Sequence, residues 1–398
     1  MQGFPMQDLL VVDLTQIYNG PYATYLMALA GATVIKIEPP GGEALRRRCE
    51  VGGAGLPYAM INGCKEAVVL DLKTEAGKHA LEALVAKADV LAENFAPGAM
   101  DRLGLGAEKL QKLNPRLIYA SSSGYGRDGP YAHYPAMDLT IQAMSGALQV
   151  TGFADQPPVK CGPAIADFLA GIHFYGAIVT ALYERERTGV ARRLEVSMQD
   201  SVYASLSSNL GMHWFKGAER AFKRTGNRHG GLAECPYNVY PTQDGFLALI
   251  CVGEAQWLKL LGVMNRTDLA EDPRYASLAQ RVAHMEEVDQ LIGEWSQTFQ
   301  TSELFKVLID AGVPCSPVRT LDEVMEDPNM HARGSLRRID HPQFGSLVVQ
   351  QSIFRFDGVP DRPLEPSHPL GSDTRSALQR WTDLAAHEID AVCPRNDA

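Results

Sequence analysis

What this sequence lacks narrows it first. Its apolar runs, such as Ala177–Tyr183, fall far short of the roughly 20 residues that a membrane-spanning helix needs. The first residues, Met1–Gln7, carry neither a basic segment nor an apolar stretch of the signal-peptide kind, so a cytoplasmic location is expected. Positive charge is in deficit: 37 Lys and Arg stand against 47 Asp and Glu, a formal net charge of −10. That balance argues against nucleic acid or an anionic membrane as the main partner, yet a local basic cluster can still hold a small anion. The seven cysteines, Cys49, Cys64, Cys161, Cys235, Cys251, Cys315 and Cys393, are odd in number and contain no CxxC pair. They read as small buried groups of a reducing compartment rather than a disulfide framework or a zinc ribbon. The histidines are dispersed without HxxxH or HExxH spacing, so no metal site is expected. No GxSxG occurs, which disfavours a serine hydrolase. No GxGxxG or P-loop occurs either, and the first strand-to-helix turn, Thr15–Pro21, has the single glycine Gly20. A nicotinamide oxidoreductase is therefore disfavoured.

What is present is a globular composition, 45% hydrophobic and 21% charged, over 398 residues. The first part alternates strand-like and helix-like segments. Leu9–Leu14, Thr33–Glu38, Val68–Leu72, Val90–Asn94 and Leu117–Ser121 read as strands, and Gly20–Gly31 and Thr74–Ala88 as helices. Pro21 suits a first helical turn, and Gly31 suits a C-terminal cap. This alternation predicts an α/β fold with an open, mostly parallel sheet. A long apolar helix is expected over Ala164–Arg187, then a strand at Glu195–Met198 and a helix over Gln199–Gly211. The loop Lys216–Gly231 reads as the way out of the large domain. Strands at Pro236–Tyr240 and Phe246–Val252 and helices at Trp257–Met264, Val282–Phe299 and Ser302–Ala311 suggest a smaller mixed domain. The pattern changes again from Leu336, with a strand over Ser346–Phe354 and a final helix Thr374–Leu384. The expected division is 1–215 for the first part of the large domain, 216–330 for the small domain and linker, and 331–398 for a returning segment.

Several residues carry two readings each. The run Arg46-Arg47-Arg48 is either a solvated face or a bidentate site for phosphate or carboxylate. Ser121-Ser122-Ser123-Gly124-Tyr125-Gly126 is either a surface turn or a ligand-facing loop at the carboxyl edge of a parallel sheet. The stretch Gly52-Gly53-Ala54-Gly55 reads as a flexible loop. Asp167 opens an apolar helix, where an acid is common as a cap. It can equally be a carboxylate projecting into a cleft. An ordinary Asp, with a pKa of about 4, is ionised at neutral pH and needs no general base to act as a nucleophile.

In combination the motifs carry a resemblance. They are Gly20-Pro21, the segment from Gly31 to Pro39, Glu93-Asn94-Phe95-Ala96-Pro97-Gly98 with Asp101-Arg102-Leu103-Gly104, and Gly124-Tyr125-Gly126. They continue through Met137-Asp138, Ser145-Gly146, Thr151-Gly152, Asp167, Ser197-Met198-Gln199-Asp200, Ala311-Gly312-Val313-Pro314 and His368-Pro369-Leu370-Gly371. In this order they resemble the class III CoA-transferases, the formyl-CoA and carnitine CoA-transferase type, a family that includes the α-methylacyl-CoA racemases. The resemblance implies a Rossmann-like large domain with an inserted smaller α+β domain, and two chains interlocked as rings in a homodimer. It implies an acyl-CoA and a carboxylic acid as partners, coenzyme A as substrate carrier, and no permanently bound cofactor or metal.

It also implies Asp167 as the catalytic nucleophile, passing through a mixed anhydride and an aspartyl-CoA thioester. Gln16, Ile17, Tyr18, Lys73, Asn94, Phe95, Arg102 and Met198 are the implied CoA contacts. Two positions depart from the formyl-CoA transferase pattern: Pro39 replaces an arginine and Pro135 a lysine. Arg46–Arg48 or Lys36 then become candidates for the nucleotide phosphates. The glycine-rich loop of that enzyme is reduced here to Val252-Gly253-Glu254, which argues against formyl and oxalate as substrates. A racemase needs two acid/base groups. Met137 stands where the racemases place a histidine, and His133 and His173 lie off the motif position, so transfer ranks above racemisation. A non-catalytic CoA-binding protein is the remaining alternative, weakened by the intact Asp167.

Overall fold

The first strand, β1 (Leu10–Asp13), is buried along its whole length. Burial on both faces is the environment of a central parallel strand, and it explains a continuous apolar run rather than an alternating one. Five further strands follow: β2 (Thr33–Glu38), β3 (Glu66–Val69), β4 (Val90–Glu93), β5 (Ile118–Ser123) and β6 (Arg193–Ser197). All pair in parallel, in the order β3-β2-β1-β4-β5-β6. The order reverses between β1 and β4, so the loops beyond their carboxyl ends run in opposite directions and leave a crevice there. The computed structural model describes residues 3–48, 51–53, 55–216 and 223–393. Cys49, Ala54 of the glycine-rich stretch and residues 217–222 of the Lys216–Gly231 loop lie outside them.

Alternate strand residues feed two cores. Val12, Ile35, Leu91 and Tyr119 pack on one face, against helices Glu75–Val85 and Thr374–Trp381. Val11, Val34, Val90 and Ile118 pack on the other, against Ala23 and Met27 of helix Asn19–Leu29 and Phe174 and Ile178 of helix Ile165–Thr188. Phe174 and Ile178 are fully buried, each contributing roughly 1.5–3 kcal/mol of hydrophobic stabilisation. That 24-residue helix is long and apolar enough to cross a membrane by length and composition alone, beyond what the short runs in the sequence suggest. Here it covers the sheet. Past β3 the chain returns: Asp373 Oδ2 accepts from the Ala67 N–H at 2.7 Å, and Thr374 Oγ1 accepts from the Val69 N–H at 3.0 Å. These bonds occupy N–H groups that a sheet edge would otherwise leave open.

The chain divides into two compact units. The first takes residues up to Met144, Gly162–Val202 and those from Met325 onward; the second takes Ser145–Cys161 and Tyr203–Val324. The first unit also holds an antiparallel hairpin of its own, formed later in the chain by Leu336–His341 and Gly345–Gln350. The second unit has an antiparallel sheet of β7 (Tyr237–Pro241), β8 (Phe246–Ile250) and β9 (Cys315–Pro317), with Trp257, Leu260, Ile292 and Leu304 in its core.

Two helices expected as continuous are broken. Gln199–Gly211 is interrupted by a tighter turn at Ala204–Leu206, and Val282–Phe299 divides at His284, which closes one helix and opens the next. Neither break involves glycine or proline, the two residues that punctuate helices most visibly in sequence.

Candidate active site

The turn after β1 is held residue by residue. Asp13 Oδ1 accepts from the Thr15 N–H at 2.8 Å and from its hydroxyl at 2.5 Å. Lys36 Nζ donates to the Thr15 carbonyl. The Asn94 amide accepts from the Gln16 N–H and donates to the Gln16 carbonyl, both at 2.8 Å. This pair imitates one more rung of the β1–β4 ladder, so the two loops at the crevice are laced together. Glu43 Oε2 accepts from the Ile17 N–H at 3.2 Å. Gly20 is required because a Cβ there would lie 2.3 Å from the Thr15 Cβ. The single glycine of this turn therefore serves the turn itself.

Beneath the turn is a buried ionic cluster. Lys65 Nζ lies 3.1 Å from Asp13 Oδ2, and Lys36 Nζ lies 3.6 Å from Asp13 Oδ1. Burial alone would raise the Asp13 carboxyl, but the two lysines and the Thr15 and Thr24 hydroxyls hold it down at about 2. Burial lowers Lys65 to about 8, with Asp13 opposing.

Asp167 sits in the first turn of helix Ile165–Thr188. Gly171, four residues on and so on the same helix face, lets this helix approach closely: a Cβ there would lie 2.7 Å from the Asn19 carbonyl oxygen. Asn19 is thereby packed against the helix that carries Asp167. Tyr18 and Phe168 stack with ring centroids 5.9 Å apart, and Tyr22 meets Phe168 edge-on at 4.9 Å. Asp138 Oδ1 accepts the Ala166 N–H at 2.9 Å, satisfying one free donor of the helix start.

Asp167 is 8% exposed, and its pKa is raised to about 7. Burial is the larger cause and the Asp138 charge the next, with the Asn19 N–H opposing them. The expectation of a fully ionised Asp at neutral pH is thus corrected: burial disfavours the carboxylate form.

A cleft of about 550 Å³ opens at this point. Gln16, Ile17, Asn94, Phe95, Arg102, Asp167 and Met198 all line it, as do Ser122, Ser123 and Gly124. A smaller cleft of about 180 Å³ shares Gln16 and Phe95 and adds Lys73 and Pro39. Pro135, Met137 and His133 belong to the larger cleft. Tyr18 lies beside it, half-buried against Phe168. His173, off the motif, is exposed and bonds the Leu169 carbonyl at 2.8 Å.

Two phosphate candidates are committed elsewhere. Lys36 is buried on Asp13 and Thr15. Arg46 bonds both Glu38 carboxylate oxygens at 3.0 Å, the Tyr58 hydroxyl at 2.6 Å and the His368 carbonyl at 2.7 Å. Arg47 and Arg48 remain exposed, and the Arg48 charge acts on Tyr18. Sequence reasoning did not place Asn19 or Glu43 in the site, and quoted Asp138 only within the Met137-Asp138 motif. Glu43 left a signal of its own: an acid just after Gly41-Gly42 and before a short helix is the pattern of an N-cap, and it caps Leu45 at 3.1 Å. No group of three or more His, Cys, Asp or Glu placed to hold a metal occurs among the described residues. No disulfide forms among the six described cysteines.

Comparison with known proteins decides the family. The CoA-transferase family III profile matches residues 6–374. The chain belongs to CoA-transferase family III. Among similar proteins, the acetyl-CoA:oxalate CoA-transferase of Acetobacter aceti is 38% identical over 387 residues, covering 96% of this chain and 97% of that one. The succinyl-CoA–D-citramalate CoA-transferase of Chloroflexus aurantiacus is 33% identical, covering 96% and 94%. A crystal structure of a CAIB/BAIF family protein from Brucella suis superposes with a TM-score of 0.83 at 32% identity, over 96% of this chain and 100% of that one. This class III CoA-transferase therefore acts on CoA thioesters. Within its larger cleft, Asp167 is the one carboxylate among the described lining residues.

Proposed function

We propose that the protein moves CoA from an acyl-CoA donor to a carboxylic acid acceptor, with Asp167 as the nucleophile. The observation that carries this reading is a buried carboxylate, alone of its kind among the described residues that line a cleft at the sheet's switch point. The Asp167 carboxylate oxygen attacks the thioester carbonyl, the C–S bond breaks and CoA thiolate leaves, giving a mixed anhydride. The thiolate then attacks the Asp167 carbonyl and expels the donor acid, giving an aspartyl-CoA thioester. The acceptor carboxylate repeats the two steps in reverse, and no net proton is transferred. Dividing the exchange at a fixed carboxylate is covalent catalysis.

Gln16, Ile17, Phe95, Arg102 and Met198 form the CoA tract in this reading, with Tyr18 and Lys73 flanking it. Asn94 serves it by lacing the loops. The relatives named for oxalate and D-citramalate support a dicarboxylic acid acceptor. They also return oxalate to candidacy despite the short Val252-Gly253-Glu254 segment.

The test is a trap. Acetyl-CoA and succinyl-CoA, each with hydroxylamine, should inactivate the enzyme and mark Asp167 as a hydroxamate by mass spectrometry. A panel of these donors against oxalate, glutarate and citramalate identifies the acceptor. An unmodified Asp167 in an inactivated enzyme sinks the mechanism. Deuterium entering the α-position of a 2-methylacyl-CoA without acceptor acid would favour racemisation instead.

The interlocked homodimer is part of the same reading. Trp214 and Phe215, 80% and 89% exposed in the single chain, support it as apolar surface that a partner would cover. Light scattering should give twice the 43.4 kDa chain mass; a monomer would discard this part of the reading.

A further inference from the structure

Ile17 has a φ of +68°. For a β-branched residue this left-handed backbone is a true outlier, strained unless its surroundings over-determine it. The surroundings here do so. Thr15 is tied by Asp13 and Lys36, and Gln16 by Asn94. The strained residue itself is held at its N–H by one group, the Glu43 carboxylate. Glu43 is 4% exposed and is anchored in its own right, because its other oxygen caps Leu45 and its N–H donates to Glu38 Oε2 at 3.0 Å. Directly after Ile17, Tyr18 stacks on Phe168 beside Asp167, and the Asn19 carbonyl packs against Gly171 of the same helix.

We propose that Glu43 is a positioning residue: it holds Ile17 in the left-handed conformation that seats Tyr18 and Asn19 against the first turns of the helix carrying Asp167. This rests on Asp167 being the reacting carboxylate. Glu43 lines the smaller cleft but not the larger one that holds Asp167; it acts through the turn. A right-handed or extended Ile17 would redirect the chain before Tyr18 and Asn19, and the first turns of the Asp167 helix would lose the contacts that fix them. A misplacement of about 1 Å at a reacting group costs on the order of a hundredfold in rate.

Glycine adopts positive φ freely, so it makes the hold by Glu43 unnecessary. The test is therefore a double-mutant cycle, read with the fastest donor–acceptor pair of the panel above. Glu43→Ala should lower kcat roughly tenfold to a hundredfold while the acyl-CoA KM changes about twofold or less. In the Ile17→Gly background the same substitution should cost less than about threefold. The cycle cancels whatever Ile17→Gly does alone. Glu43→Gln keeps one acceptor oxygen at the same reach and supplies a second route if Glu43→Ala folds poorly; its loss should be smaller and likewise vanish with Ile17→Gly.

Equal losses in both backgrounds, or no loss of kcat, would overturn the role given to Glu43. Asp167→Asn separates the two claims. If that variant stays fully active, the reading of the site fails; if it is dead while the cycle shows no coupling, only the positioning claim fails.

Discussion

Asp167→Asn is expected to abolish CoA transfer and, at pH 8, to make the folded protein more stable. The first effect follows from chemistry: an amide cannot form the anhydride, and losing a nucleophile costs on the order of a thousandfold or more. The second follows from linkage. The Asp167 pKa is raised from its ordinary 3.8 to about 7. Between those values the native state holds more protons than the unfolded chain, so stability falls as pH rises through the window. Below pH 4 the carboxyl is protonated in both states and the penalty is absent; above 7 it is fully present. Removing the charge should thus restore roughly 2–4 kcal/mol at pH 8, from the size of the shift, and little at pH 4. Thermal melts at both pH values read this directly. A midpoint that drops at pH 8 would show that Asp167 is a structural ion rather than a strained functional one.

The same pKa sets the rate profile of the wild type. Turnover by the free enzyme should rise with pH and level off above about 7, because the carboxylate is the attacking form. Asp138→Asn removes the nearby like charge and should move that limb to lower pH. It should stay above the ordinary Asp value, since burial is the larger cause.

The largest stability loss is expected at Asp13, far from any solvent. Asp13→Asn leaves Lys36 and Lys65, each with a side chain 1% exposed, without their counter-charge. Breaking a buried ionic cluster from one side costs roughly 3–5 kcal/mol, because the remaining charges stay desolvated. Lys65→Met combined with Asp13→Asn should recover part of that loss, which a denaturant titration of the single and double variants would resolve. Additive losses would mean that the three charges are not coupled. The native Asp13 contributes its stability above its ordinary pKa of 3.8, and this is lost as pH falls toward about 2.

The residues behind these effects are unevenly visible in the sequence. The β-α alternation was readable because parallel strands buried on both faces are short apolar runs, and because helices such as Glu75–Val85 begin at recognisable caps, here Thr74 with Glu75 behind it. Asp167 was readable as an acid opening an apolar helix, although its altered pKa was not. Lys36 and Arg46, candidates in sequence for holding the nucleotide phosphates, are instead engaged with Asp13 and Glu38. A cation in sequence looks the same whether it faces solvent or a buried carboxylate 8 or more residues away, as Arg46 faces Glu38.

By itself the sequence determined the class of fold, the acidic surface balance, the start of the Asp167 helix and the resemblance that the family profile then established. Those features are local: runs, caps and ordered motifs. Only the tertiary structure decided which loops meet at the crevice. Gln16 and Asn94 are 78 residues apart, and Ile17 and Glu43 are 26 apart. Such pairs are set by strand order and by close helix crossings like the one at Gly171. Their energies come from burial and hydrogen bonding between distant segments, which no local pattern encodes.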